Sequence, residues 1–526
     1  MSDASSTFRN TVVMASGTLV SRVTGFLAAI SVAAVLGQGT ALPNAYQAAN
    51  EVPNTIFELL IGGVIGAALL PALVRMRGAP DQSGQNAVGT VLIAAGGLLT
   101  VAAVFAAPAI ASVLTLAEPG LQDGTTLLLR WLLVEIFGYG VMAYAAALLQ
   151  AHGRFSVVAF APALNNLVVI LTMLIVRDRI SSGVGRVPLV ETPGIHGLAF
   201  GTAVGVLLVA AVMLAEAMHT TGFRFTANWR HPSLRSLRSA AGWTTGFVAC
   251  NLIAAQVVAI LAQGTEGGAS TYLNAFRLFQ LPHGLIAVSI ITVLAPALAR
   301  VGADRDALAR QTTDGLRILL VGMVGAGAIL VVLATPIASL FRQGEFDNSD
   351  VADLAEVLRA FGFGLPAFSA YLFLLRAYYA QRDARTPFIL NLGENALNIA
   401  LAILLVNQFE TIGLAASYSA AYAIAAVVTY VRIQNDIGVG SVFPTVARSA
   451  VAAGLVGTLW WFVPTAPVGS GVSRVLNCAL WSALAAAIYL GTLFLLRAPE
   501  LSRARLLVSK RRAPVDQWQH VESKEE

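Results

Sequence analysis

Charged residues are scarce in this 526-residue sequence: Asp, Glu, Lys and Arg make up 12% of it, and hydrophobic residues make up 57%. Soluble globular proteins carry about 25% charged residues. This shortage argues against a water-soluble enzyme and excludes an intrinsically disordered chain. The composition is typical of a protein that crosses a membrane several times.

Cysteine and lysine are scarce as well. Cys250 and Cys478 each lie inside an apolar run, so they predict neither a disulfide framework nor a metal site. The only lysines are Lys510 and Lys524, and a net charge of +5 is too small to indicate nucleic-acid binding. The apolar run after residues 1–10 is too long for a signal peptide, and we expect it to be retained as the first span.

Long apolar runs are what the sequence has in abundance. A span needs about 20 mostly apolar residues, and each must be helical because lipid cannot satisfy backbone hydrogen bonds. We therefore predict an all-α polytopic membrane protein with about 14 transmembrane helices. The predicted spans are 11–36, 45–75, 86–115, 124–151, 155–176, 195–220, 236–263, 268–299, 313–341, 352–380, 386–407, 410–432, 444–465 and 474–497. Pro53, Pro282 and Pro366 interrupt three of them.

The arginines between the spans predict the orientation. With the N-terminus inside, the inner loops hold most of them, while the outer loops near 37–43, 116–123, 264–267 and 408–409 hold neither Lys nor Arg. One predicted outer loop is an exception, because it contains Arg177, Arg179 and Arg186. The bias predicts a multi-pass membrane protein with both termini in the cytoplasm.

An internal repeat divides the chain. Residues 151–166 resemble residues 380–395, since both combine a short polar turn with a helix that carries Asn. Residues 69–75 likewise echo 294–300, and 197–199 echo 413–415. We predict two pseudo-symmetric six-helix lobes, which are typical of alternating-access transporters with a site near the midplane. The predicted parts are an N-lobe (1–222), a C-lobe (223–437), two C-terminal helices (438–500) and a charged cytoplasmic tail (501–526).

Arginines inside spans are the strongest functional signal. An Arg at the centre of a span costs roughly 2.5–3.5 kcal/mol, so it should face a cavity or a partner. Arg22 lies in span 1 and Arg277 in span 8, which belong to different halves. Together they would suit a phosphate-bearing substrate, because Arg binds phosphate oxygens in pairs. The alternative is that each pairs with a carboxylate and only holds helices together.

Carboxylates inside spans are the second signal. Glu58 lies one helical turn after Asn54 on the same face, and Glu394 lies in span 11; Glu51 and Glu135 are further examples. Glu58 or Glu394 could bind a coupling cation or proton, or could pair with an arginine. No Walker A loop and no metal-ligand spacing of histidines occur, so we expect a transporter without a cofactor rather than an enzyme.

Several motifs carry a resemblance to a known family. They are Ser21-Arg-Val-Thr-Gly-Phe26, Val52-Pro-Asn54 followed by Pro71, Arg277-Leu-Phe-Gln-Leu-Pro-His-Gly284, the stretch 154–162 and the stretch 380–387. Across the 14 spans the sequence resembles the MurJ/MviN lipid II flippases of the multidrug/oligosaccharidyl-lipid/polysaccharide exporter superfamily.

The resemblance implies two six-helix lobes, with a lipid-tail groove formed by the last two helices. It implies movement of undecaprenyl-pyrophosphate-linked peptidoglycan precursor from the inner to the outer leaflet of the bacterial cytoplasmic (inner) membrane. Because the sequence has no ATP site, we expect the membrane potential or an ion gradient to drive the cycle. Arg22 and Arg277 match cavity arginines that bind the pyrophosphate in the family. The implied partners are the lipid-linked substrate, membrane lipids and cell-wall synthesis or division proteins; no nucleic acid is expected.

The sequence also departs from the family pattern. Ala28 and Ala29 stand where Arg-Asp is common, Asn44 where Asp is common, and Phe57-Glu58 where a basic pair is usual. Gly62 replaces a common Glu. These changes make the predicted cavity less cationic. The alternatives therefore include a flippase for another polyprenyl-linked glycan, a cation-coupled drug exporter and a non-transporting cell-wall scaffold. Asn44, Asn54, Glu58 and Glu394 are the further candidate cavity or coupling residues.

Overall fold

The regular structure in the described part of the chain is entirely helical in the computed structural model. The structure describes residues 2–37, 40–58, 69, 73, 76, 83–116, 118–183, 188–229, 231–232, 242–265, 268–381, 383–463 and 471–500. The prediction of an all-α protein is confirmed. The helices are α1 (Ser2–Leu36), α2 (Ala41–Glu58), α3 (Ser83–Phe105), α4 (Ala107–Leu114), α5 (Gln122–Leu132), α6 (Glu135–Ala151), α7 (Ser156–Gly183), α8 (Ile195–Thr221), α9 (Gly242–Gln263), α10 (Gly268–Pro282), α11 (Val288–Arg300), α12 (Arg305–Val332), α13 (Ala334–Ala338), α14 (Asn348–Ala380), α15 (Arg385–Ile437), α16 (Phe443–Gly457) and α17 (Gly471–Leu495).

Length and hydropathy explain why these helices form. Among the described residues, nine helical stretches are long and apolar enough to cross a membrane. A helix satisfies its own backbone, which is the condition for crossing lipid. The helices follow the predicted spans in order along the chain, while the exact number of fourteen spans stays a prediction.

Interruptions occur inside two predicted spans and between two others. Span 124–151 is two helices, α5 and α6, separated at Leu133 and Val134. Span 268–299 contains a π-helical turn, His283–Ala287, directly after Pro282. The two spans predicted on either side of residues 408–409 are two helical segments of α15 (Arg385–Ile437), which meet at a turn where Glu410 has non-helical dihedral angles (φ 49°, ψ −134°).

The predicted start of the loop between spans 5 and 6 is wrong. The sequence predicts Arg177 and Arg179 between spans 5 and 6, but α7 continues to Gly183 and includes both. Both side chains are exposed, so this helix continues for about two turns beyond the predicted end of the span. Arg186, the third arginine of that stretch, lies outside the described residues.

The helices pack into two compact units. Unit 1 comprises Met1–Ala275, Ala338–Val357 and Ala384–Ser417. Unit 2 comprises Phe276–Ile337, Leu358–Asp383 and Tyr418–Glu526. The predicted lobe boundaries at residues 222, 437 and 500 stay predictions, and the tail 501–526 lies outside the described residues.

Unit 1 is built from closely packed small side chains. α1 packs on α7 so tightly that a Cβ on Gly17 would come within 2.5 Å of the Ala159 side chain. Close approach through Gly and Ala is how membrane helices gain van der Waals contact without a hydrophobic driving force. This packing fixes α1, and with it the polar motif around Arg22.

A turn from much later in the chain closes the end of α1. The Glu345 backbone N–H donates to the Ala34 carbonyl oxygen at 3.0 Å. Gly344 has φ +61°, and any Cβ at this position would clash with the same Ala34 carbonyl oxygen. Only glycine meets both conditions, since it adopts positive φ without strain and has no side chain.

Unit 2 contains a cluster of aromatic rings. Phe279 lies with its ring centroid 5.2 Å from that of Phe361 and 5.3 Å from that of Phe368. Tyr418 packs against all three rings at centroid distances of 5.6–5.9 Å. Such edge and offset contacts add to the burial of large rings, so they hold α10, α14 and α15 together in this unit.

Candidate functional site: polar side chains inside the spans

The motif around Arg22 has a packed face and an exposed face. Asn166 of α7 donates through Nδ2 to the Ser21 carbonyl oxygen and to Thr24 Oγ1, each at 3.1 Å. Phe26 packs edge-on against Phe341 with a centroid distance of 5.7 Å. Arg22 itself is exposed. The neighbours of Arg22 thus fix the helix, and its guanidinium is left on the other face.

The predicted repeat has the same local geometry in both copies. After α6 the Arg154 N–H donates to the Leu149 carbonyl oxygen at 2.8 Å, and after α14 the Asp383 N–H donates to the Tyr378 carbonyl oxygen at 3.0 Å. Both bonds span five residues and close a helix end in the same way.

The asparagines of the two copies also match. Asn166 bonds to α1, as described above, and Asn395 Nδ2 of α15 donates to Asn251 Oδ1 of α9 at 3.2 Å. Asn391 donates to the same Asn251 oxygen at 3.1 Å. In each copy an amide on the helix after the turn therefore holds the first helix of its half.

Arg277 lies in unit 2, near the C-terminal end of α10. It is exposed, while Leu278 and Phe279 beside it are buried. The π-helical turn begins six residues later, and π turns inside α-helices are frequent at functional sites. Arg22 belongs to unit 1, so a common anion site formed by the two arginines stays a prediction.

Asn44 is buried in a helix–helix contact. Its Oδ1 accepts a hydrogen bond from the Ser270 backbone N–H at 3.1 Å, in the first turn of α10. Gly268 permits this contact, because a Cβ there would clash with the Asn44 amide. The side chain satisfies an N–H that the helix leaves unpaired. The structure therefore gives Asn44 a structural contact, and the cavity role predicted for it stays a prediction.

Asn54 joins two helices of unit 1. Its Nδ2 donates to the Asn50 carbonyl oxygen at 3.0 Å, and its Oδ1 accepts from the Tyr139 hydroxyl of α6 at 2.6 Å. The next residue, Thr55, accepts from Gln256 of α9 at 2.8 Å. Glu58 is the last residue of α2, and its side chain lies outside the described residues. The predicted role of Glu58, on the same helix face as Asn54, therefore stays a prediction.

Glu394 is buried in α15, with only 3% of its surface exposed. It lies one turn before Asn398, whose Oδ1 accepts from Ser417 at 3.2 Å. The carboxyl group is within electrostatic reach of the buried Tyr272 of α10. The structure thus brings Glu394 into a polar layer of unit 1, and its predicted coupling role stays a prediction.

The residue that sequence reasoning missed is Tyr139. Glu135 of α6 hydrogen bonds with Tyr139, which also holds Asn54 and lies within electrostatic reach of Glu51. A signal for this cluster was present, because Glu135 and Tyr139 are one turn apart on an otherwise apolar helix. Within the described residues, no group of three His, Cys, Asp or Glu side chains is arranged to hold a metal ion.

The fold and these side chains define a polytopic membrane protein with polar and charged groups inside its spans. A family model described as lipid II flippase MurJ matches residues 32–476. The chain therefore belongs to the lipid II flippase MurJ family.

Relatives and solved structures agree with this assignment. A probable lipid II flippase MurJ of Rhizobium meliloti (strain 1021) is 27% identical over 525 residues, covering 94% of both chains. A solved lipid II flippase MurJ in an inward closed conformation has a TM-score of 0.73 at 19% identity, covering 92% of this chain and 100% of that one. An inward-facing multidrug resistance MATE family transporter of the MOP superfamily has a TM-score of 0.64 at 16% identity, covering 79% and 94%. These likenesses show the fold.

Proposed function

We propose that this protein translocates lipid II, the undecaprenyl-pyrophosphate-linked peptidoglycan precursor, across the bacterial cytoplasmic membrane by alternating access. The observation that carries the proposal is the family match over residues 32–476 together with the exposed Arg22. Ser21, Thr24 and Phe26 beside Arg22 have partners inside unit 1, while Arg22 lies on the exposed face of α1. A charge inside a predicted span is expected to serve a substrate.

Arg22 and Arg277 bind the pyrophosphate in this proposal. A guanidinium presents two parallel N–H donors to phosphate oxygens, which a lysine cannot do. A hydrogen bond to a charged group contributes about 1.5–3 kcal/mol, so losing one such arginine should weaken binding about ten- to a hundredfold. Both termini lie in the cytoplasm, and the membrane potential or an ion gradient drives the cycle.

Complementation tests the proposal most directly. A bacterium depleted of its own flippase receives wild type, Arg22→Ala or Arg277→Ala, with the amount of each protein in the membrane checked by immunoblotting. We expect wild type to restore growth and both variants to fail. Arg224→Ala is the matched control, since Arg224 is exposed and follows α8 outside the spans, and its backbone N–H keeps its bond to Asn86.

The outcomes separate the rival functions. Growth restored by all variants would refute the arginine mechanism and favour a scaffold. No growth with well-expressed wild type would favour a different polyprenyl-linked glycan as substrate. Purified protein in vesicles then checks transport itself, because lipid II that reaches the outer leaflet becomes accessible to an added enzyme.

A further inference from the structure

The Tyr139 hydroxyl in unit 1 has one proton to donate and two neighbouring acceptors, Asn54 and Glu135. Asn54 Nδ2 donates to the Asn50 carbonyl oxygen at 3.0 Å, which orients the amide so that its Oδ1 faces Tyr139. An amide oxygen can only accept, so the Tyr139 hydroxyl donates its proton to Asn54 at 2.6 Å. That hydroxyl has no second proton to give.

Glu135 lies one turn before Tyr139 on the same face of α6, and its carboxyl group interacts with the Tyr139 hydroxyl. An ionised carboxylate only accepts, and the proton of Tyr139 is already directed to Asn54. A carboxylate at Glu135 would therefore receive no hydrogen bond from Tyr139 while that proton is directed to Asn54, whereas a protonated carboxyl group can donate to the hydroxyl oxygen. The arrangement is satisfied when Glu135 is a neutral acid.

The surroundings of Glu135 favour the same form. Only 1% of its surface is exposed, and its Oε1 is buried with no hydrogen-bond partner among the described residues. No arginine in the part of the chain that the structure describes forms an ion pair with it. A buried carboxylate without a partner is costly, whereas a neutral carboxyl group is tolerated.

Glu135 also lies at an interruption of its span. It is the first residue of α6, and the backbone bonds at the break with α5 span three residues, from Val134 to Trp131 and from Ile136 to Leu133. The N-terminal end of a helix favours negative charge, which opposes the effect of burial. These opposed influences suit a group that gains and loses a proton.

The titratable groups around Glu135 are few. On its own helix it faces Tyr139, and α2 presents Glu51 and Tyr46 through Tyr139. α3 has no titratable side chain. Val206 of α8 packs beside Gly138 of α6. The titratable residues of α8, which are His196, Glu216 and His219, lie roughly 15 Å or more from Val206 along that helix. On α5, Arg130 is exposed.

We propose that Glu135 is a proton-binding site whose occupancy controls the contact between α2 and α6. When the O–H bond of Glu135 breaks and its proton leaves to water, the Tyr139 hydroxyl turns from Asn54 to the carboxylate, and Asn54 loses its donor. Tyr139, Asn54 and Glu51 are half-buried, so this series of side chains connects the buried Glu135 to the protein surface. The ligand is a proton, and its role in driving transport rests on the proposed function.

Infrared difference spectroscopy tests the protonation without any transport assay. Purified protein in lipid is taken from mildly acidic to mildly alkaline buffer, and the C=O stretch of protonated carboxyl groups is recorded. We expect a band that decreases as the pH rises and is lost in Glu135→Gln. Tyr139→Phe should keep the band and shift its frequency, and the exposed Glu191→Gln should leave it unchanged.

Two results would overturn the proposal. One is a protonated-carboxyl signal that Glu135→Gln does not alter; the other is a Glu135 band that does not change with pH. If Glu135→Gln does not fold, an unshifted band in Tyr139→Phe overturns the proposal in its place. A titrating band in a protein that does not move lipid II would count against the proposed function instead, so the two failures are distinguishable.

Discussion

Amide side chains hold the first helix of each half in place. Asn166 makes two hydrogen bonds to α1, and Asn395 bonds to Asn251 of α9. In lipid, these groups cannot form hydrogen bonds to water instead. Measured hydrogen bonds between membrane helices nevertheless contribute only about 0.6 kcal/mol on average and at most about 1.7 kcal/mol. The contacts therefore specify position more than they add stability.

Asn166→Ala should lower the free energy of unfolding by about 1 kcal/mol, because it removes both donors to α1. Thr24→Val removes one acceptor, so the two substitutions together should cost less than the sum of their separate effects. Thermal unfolding of the purified variants in detergent measures this. Thr126→Val is the control, since its hydroxyl bonds only to its own helix; additive effects would contradict the assigned contact.

At this scale the sequence predicts which residues are unusual but not what they contact. Arg22 stands out as a charge in a span, and the structure leaves it exposed. Asn44 stands out as well, yet it bonds to Ser270, which is 226 residues away in the chain. Tyr139 stands out only through its spacing from Glu135, because a tyrosine alone in an apolar helix is ordinary.

Helix breaks are the informative feature at the scale of elements. Pro282 predicts an interruption, and a π-helical turn follows it. The break at Leu133 and Val134 has neither Pro nor Gly, so the apolar sequence hides it. Polar residues near 408–409 predict a boundary between two spans, and the chain turns there at Glu410, so that Ser417 of the second segment reaches Asn398 of the first.

Glu410 has φ 49° and ψ −134°, a sparsely populated backbone conformation that costs an L-residue roughly 1–3 kcal/mol. Glu410→Gly should therefore stabilise the protein by about 1 kcal/mol relative to Glu410→Ala, since both lose the carboxylate and only glycine loses the strain. The difference between their thermal unfolding midpoints in detergent checks this. Equal midpoints would mean that the backbone at Glu410 is not strained.

For the whole molecule, the sequence predicts the helical class and the order of helices well, because hydropathy alone requires them. The two compact units differ from a simple division of the chain, since each unit gathers segments from separate stretches. Contacts between segments that are distant in the sequence determine such a division, and a hydropathy profile does not predict these contacts.

The orientation in the membrane can be checked with cysteines. The protein has only Cys250 and Cys478, one half-buried and one buried within helices. Ala303→Cys, in the turn before α12, should react with an impermeant thiol reagent from the cytoplasmic side only. Glu118→Cys, before α5, should react from the outside only. Labelling of intact cells and of inverted vesicles distinguishes the two sides, and the unmodified protein is the control.

The turn at Gly344 has a practical consequence for protein engineering. Residues 343–345 are exposed, so the turn is an attractive position for inserting an epitope or a fluorescent reporter. Its backbone, however, closes the end of α1 and leaves no room for a side chain at Gly344. An insertion there would free the far end of the helix that carries Arg22, so a reporter belongs at a loop whose backbone makes no such contact.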